Sequence, residues 1–230
     1  MKKKYYLYKM NELALNIISI AILIIMVLIT EFVYNDESFI LTFSDTSYMV
    51  FIALMFPYLM LHELLHSLSY VLHGASYKNI TYGMHLEKGI FCCLCKQNIT
   101  KKNILISVLY PFVFIGVVTY IIGVLLNNNV LILLSIVNIS GCAGDLMMFF
   151  GLLRVKDFEY SEFDNPMAFG LYSENDLSEL KLLGLNYIEE QDELERNDLK
   201  KLTISKESKF LLALVVVLVF ALLVMRWQWR

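Results

Sequence analysis

The sequence predicts an all-α polytopic membrane protein of about five transmembrane helices, with a short β-hairpin possible between the second and third. Three observations predict it. Hydrophobic residues make up 58% of the 230-residue chain and charged residues 18%, whereas a soluble domain is nearer half apolar and a quarter charged. Five runs, 13–32, 48–72, 104–126, 130–153 and 210–229, approach the roughly 20 apolar residues that a helix needs to cross a bilayer. Lys and Arg gather in alternate connecting segments, the asymmetry that orients membrane helices.

The elements follow in order. Residues 1–47 read as an N-terminal anchor helix and an outside loop. Lys2, Lys3, Lys4 and Lys9 place the N-terminus in the cytoplasm. The apolar run 13–32 is longer than the core of a signal peptide, and no small-residue cleavage site follows it, so it reads as an uncleaved anchor. The next loop carries Asp36, Glu37 and Asp45 without Lys or Arg.

Residues 48–153 form the membrane core. Between its first two spans, Lys78, Lys88, Lys96, Lys101 and Lys102 mark a cytoplasmic segment. Within that segment Ile80, Tyr82, Met84 and Leu86 alternate at period two, and Glu87-Lys88-Gly89 can turn. The stretch 78–97 is therefore either a hairpin or an irregular loop. The Asn127-Asn128-Asn129 turn lies outside, and Arg154 and Lys156 return the chain inside.

Residues 154–208 form a polar cytosolic segment. Leu177, Leu180 and Leu183 suggest amphipathic helix in part of it, and acids such as Glu189, Glu190 and Asp192 read as a solvated face. Residues 209–230 form a C-terminal transmembrane helix ending in the interfacial anchors Trp227 and Trp229. Five spans put the C-terminus outside, a placement that Arg226 and Arg230 oppose.

The net charge of −3 gives no reason to expect nucleic acid as a partner. Of the four cysteines, Cys92, Cys93 and Cys95 crowd into one stretch and Cys142 stands apart. That is a poor disulfide framework, and the four read as reduced thiols. His73 and His85 read as solvent-facing loop residues.

The second span contains His62-Glu63-Leu64-Leu65-His66, an H-E-x-x-H motif. Residues four apart on a helix share a face, so both imidazoles can reach one metal ion. Glu63 stands beside them as base toward an activated water. Three ionisable groups within an apolar helix are expensive in hydrocarbon unless a metal or water receives them. A catalytic zinc takes a third protein ligand and keeps an open position. The helical zincin extension does not supply it, because Ser69 and Leu72 stand where Gly and His are needed. Asp145 in the fourth span is the candidate; its bland alternative is a helix–helix hydrogen bond or ion pair. At about 1.5 Å per residue, His62, His66 and Asp145 all lie roughly 9–15 Å from the cytoplasmic ends of their spans.

A His-Glu-x-x-His helix followed by a later helix bearing Asn138 and Asp145 resembles the site-2 class of intramembrane metalloproteases. More closely, 48–170 resembles the "putative zincin peptidase" family of small bacterial membrane proteins, through this motif, Pro111, Gly144-Asp145, and the pattern Asp164-Asn165-Pro166 with Gly170. The resemblance implies a multi-pass protein of the bacterial cell membrane that uses Zn2+ to hydrolyse peptide bonds of membrane-associated substrates. It makes His62, His66 and Asp145 the zinc ligands, Glu63 the catalytic base and Asn138 a holder of substrate backbone. This chain departs from the site-2 pattern at the aspartate, which Leu146 follows, and has no proline between Asn138 and Asp145. The expected partners are the lipid bilayer and a membrane protein or peptide substrate. Two rivals belong to other classes: a non-catalytic adaptor or immunity-type protein with a structural zinc, which needs no Glu63, and a zinc transporter, which needs more ligating residues along its spans.

Overall fold

The computed structural model describes residues 3–34, 44–85, 90–162, 167–177, 184–188 and 200–202. Four helical passes stand on a five-stranded antiparallel sheet, and a second, three-stranded sheet lies against one of the helices. The chain is mostly helical, but the all-α expectation is corrected: eight strands are present among the described residues.

The first strand, β1 (Lys4–Met10), precedes the first helix, α1 (Glu12–Tyr34). No strand is expected from hydropathy in its KYYLYKM sequence, which precedes the anchor helix. The run of tyrosines and Leu7 instead suits a pleated surface, and Tyr6, Leu7, Tyr8 and Met10 are all buried.

Helix α2 (Asp45–Leu72) is capped at both ends. The Ser44 hydroxyl accepts from Ser47 N–H at 3.2 Å. At the other end Gly74 adopts φ +95°, with Gly74 N–H on Val71 O and Ala75 N–H on Tyr70 O. This is the paired-bond C-terminal motif that glycine permits. His73 is not a free loop residue: it ends the helix, half-buried, with its Nδ1 2.7 Å from Ser69 O.

The stretch 78–97 contains two antiparallel strands. Strand β2 (Ile80–His85) pairs with β3 (Ile90–Cys95), Tyr82 opposite Cys93. Strand β8 (Lys200–Leu202) pairs on the other side of β2, so β2 is the middle strand and β3 an outer one.

After β4 (Ile99–Thr100), the third pass is α3 (Lys101–Pro111), a π-helical stretch (Phe112–Val117) and α4 (Val118–Leu125). Asn127 at φ 49° makes the turn, and Asn128 caps the next helix by accepting from Leu131 N–H at 3.1 Å. The fourth pass is broken. Helices α5 (Asn129–Gly141) and α6 (Ala143–Leu153) meet at Cys142 with a 44° bend. Three helical passes are long and apolar enough to cross a membrane, or four if the bent pair counts as one. The fifth expected span, 210–229, lies outside the described residues.

The amphipathic helix expected around Leu177, Leu180 and Leu183 falls largely outside the described residues. The strands of the polar segment are β5 (Glu159–Glu162), β6 (Ala168–Ser173), β7 (Leu185–Ile188) and β8. Leu177 is buried and its carbonyl accepts from Tyr8 Oη at 2.7 Å; Leu180, Leu183, the acidic run and Asp164-Asn165-Pro166 lie outside the described residues. The large sheet runs β4-β5-β6-β1-β7. It joins the segment before α1, the segment between α2 and α3 and the segment after α6. All three therefore lie at one end of the helices, as four alternating passes require.

Side chains tie the passes together. Ser19 Oγ donates to Ser140 O at 2.9 Å, and Thr30 Oγ1 meets Tyr120 Oη at 2.9 Å. Tyr58 Oη bonds Ile115 O and Thr119 Oγ1, and Thr119 Oγ1 lies 2.7 Å from Ser135 Oγ.

Candidate metal centre

About one turn of helix separates His62 and His66 and sets them on one face of α2, and the bend at Cys142 turns Asp145, in the first turn of α6, toward them. Asp145 Oδ2 lies 3.3 Å from His62 Nε2, and Oδ1 lies 3.4 Å from His66 Nε2. The two Nε2 atoms are 3.2 Å apart. Both histidines are buried, and the aspartate side chain is 17% exposed. Among the described residues this is the cluster of His, Cys, Asp and Glu able to hold a metal ion.

The donor set can be tested for fit. Zinc bonds nitrogen and oxygen ligands at about 2.0–2.1 Å in a tetrahedron, which sets neighbouring ligand atoms about 3.3 Å apart. The Nε2–Nε2 separation matches one edge of that tetrahedron, each Nε2 lies at a similar distance from one of the two Asp145 oxygens, and one ligand atom from each residue lies within 4.8 Å of the others. The chemistry agrees. His66 Nδ1 lies 3.0 Å from the Ser107 carbonyl, which can only accept, so Nδ1 carries the proton. Asn138 Nδ2 donates to Pro111 O at 3.3 Å, which directs Asn138 Oδ1 to His62 Nδ1 at 2.9 Å and puts that proton on Nδ1 as well. In the neutral imidazoles both Nε2 lone pairs then point at each other and at a carboxylate. A cation at the centre turns that repulsion into ligation.

Residues 55–159 match the family model described as "Putative zincin peptidase". No curated protein and no solved structure matches the chain. The zincin similarity starts just before the motif of α2 and ends in β5, so it spans His62, Glu63, His66, Asn138 and Asp145. Zinc is the metal that this similarity implies.

Glu63 lies on α2 beside the cluster and accepts a hydrogen bond from the Cys93 backbone N–H. It is therefore held against β3. The sheet register leaves that N–H turned away from β2, toward the outer edge of β3.

Asn138 is buried, with Cys142 Sγ 3.7 Å from its Nδ2. Both ends of its amide are engaged, one of them with a candidate ligand. Sequence reasoning missed Ser107 and the backbone role of Pro111. Ser107 is fully buried; its hydroxyl meets Ser69 Oγ at 2.8 Å while its carbonyl meets His66. A proline in an apolar helix was the available signal, because it must leave one carbonyl free.

The four cysteines form no disulfide among the described residues. Tyr82 Oη donates to Ser67 Oγ at 2.7 Å, pinning β2 one residue past the motif; burial pushes its phenol well up from its ordinary range.

Proposed function

We propose that this protein is a membrane-embedded zinc metallopeptidase that cuts peptide bonds of membrane-associated substrates. The observation that carries the reading is the His62–His66–Asp145 triangle with Glu63 beside it, inside helices whose apolar character suits a bilayer. His62, His66 and Asp145 hold the zinc. When bound, zinc supplies Lewis acidity to a water and to the scissile carbonyl. Glu63 takes a proton from the attacking water and delivers it to the leaving amine nitrogen. Asn138, through His62, holds a ligand in its working tautomer rather than reaching the substrate itself.

A substrate must be extended at the cut, because a helix hides its carbonyls. The outer edge of β3 offers backbone groups for strand addition, and the Cys93 N–H on that edge already touches Glu63. A substrate strand laid there passes beside the base. The edge that matters is thus 90–95, and prolines placed there should impair cleavage more than prolines in β2, which is paired on both sides.

The sheet-bearing end of the helices faces the cytoplasm, in accord with Lys3, Lys4, Lys9, Lys101 and Lys102 lying at that end. The test compares membrane-protein N-termini in cells carrying the native chain and Glu63→Gln, alongside zinc content of both purified proteins. New N-termini that require Glu63, with zinc retained in the variant, support the peptidase. Identical N-termini with zinc bound in both make it a zinc-stabilised adaptor instead.

A further inference from the structure

We infer that Pro111 is a positioning residue of the metal centre, setting both imidazoles through two backbone carbonyls. The inference rests on the metal centre proposed above.

The first carbonyl is that of Ser107. In an α-helix it would accept from the N–H four residues later, and position 111 has none. The next N–H along, that of Phe112, goes to Leu109 O. The Ser107 carbonyl is left to accept from His66 Nδ1 at 3.0 Å. Ser107 is fully buried, so no bulk water competes for it. A freed carbonyl in an apolar helix must find some donor, and here the donor is a candidate zinc ligand.

The second carbonyl is Pro111's own. It accepts from Asn138 Nδ2 at 3.3 Å, and the other end of that amide faces His62 Nδ1 at 2.9 Å. The carbonyl fixes which way the amide lies, and the amide fixes the His62 tautomer. Gly116 in the π-helical stretch makes the approach feasible: a Cβ there would stand 2.8 Å from Ile139 Cγ1 and 3.4 Å from Asn138 Nδ2. One residue on α3 thereby directs both Nε2 lone pairs at Asp145.

The experiment uses the full chain in detergent. Zinc affinity is measured by chelator competition for the native protein, Pro111→Ala, and a chain in which lactic acid replaces Pro111. The lactate ester lacks the N–H, as proline does, but also lacks the ring. Histidine tautomers are read by nitrogen NMR of the metal-free proteins at a pH where the imidazoles are neutral. Alanine restores the competing N–H, so Pro111→Ala should bind zinc about 10–100-fold more weakly, the usual loss for an outer ligand partner. It should also move the His66 proton off Nδ1 in part of the population. The ester should restore native affinity and the native tautomer.

Native affinity and tautomers in Pro111→Ala overturn the inference. An ester as weak as the alanine variant overturns it too, since the ring rather than the missing N–H would then matter. Should Pro111→Ala fail to fold, the ester alone decides by the same criterion. If the native protein binds no zinc, the metal centre fails, while the metal-free tautomers still judge Pro111 separately.

Discussion

The two histidines and the aspartate reach one point from very different backbones. His62 and His66 stand on α2, an unbroken helix whose periodicity alone puts them on one face. Asp145 stands just past a 44° bend, and the histidines are oriented by the Ser107 carbonyl of a proline-ended helix and by Asn138 of α5, itself held by the Pro111 carbonyl. The regular side supplies the candidate ligands that a motif can specify. The irregular side supplies the groups that aim them. Backbone groups released by irregularity do the aiming, and no side-chain pattern announces them.

Substitutions can break this comparison at graded strength. His66→Ala or Asp145→Ala should abolish stoichiometric zinc, measured as metal per purified chain; Asp145→Ala with full zinc would place the third ligand elsewhere. Glu63→Gln should keep zinc and lower cleavage by about 10²–10⁴-fold, the usual worth of a general base. Asn138→Ala should weaken zinc roughly 10–100-fold in chelator competition while leaving the helices folded. Tyr58→Phe removes a bond between regular and irregular passes without touching the ligands. It should lower stability by about 0.6 kcal/mol, typical of a hydrogen bond between membrane helices, with unchanged zinc.

Smaller effects lie in the sheet. Burial, and then neighbouring Tyr187 and Tyr6, pushes the Tyr8 phenol up to about 12 from 10.0. A raised folded value means that its contribution is complete below pH 10 and is lost as pH rises through about 12. Tyr8→Phe should flatten that alkaline loss in a melting series. The Lys3 ammonium, 2.6 Å from Glu159, holds that exposed carboxyl below its usual range. Lys3→Ala should leave the melting temperature almost unmoved, as exposed pairs contribute little.

Much of this was legible in the sequence. The long apolar helices follow from hydropathy, although five were expected and three are long and apolar enough to cross a membrane among the described residues, or four if the bent pair is one. The pairing of β2 with β3 showed in the alternation of Ile80, Tyr82 and Met84, and the third member of the candidate cluster in the depth shared by Asp145 and the histidines. The large sheet was not legible. Its strands are scattered across the chain, and β1 is short and flanked by lysines, so pairing partners rather than local pattern make it a strand. The bend at Cys142 was hidden because composition does not change across it. Ser107 was invisible because it acts through a carbonyl that every residue has.

The sheet also bears on how the chain is completed. Strand β1 pairs with strands made after α6, Lys4 opposite Ser173, and then with Leu185–Ile188. Tyr6, Leu7 and Tyr8 therefore wait for these partners until α6 has been made, and such long-range pairing forms late. A product stalled after α6 would display β1 without its sheet partners, a ready handle for the proteases and chaperones that clear incomplete proteins.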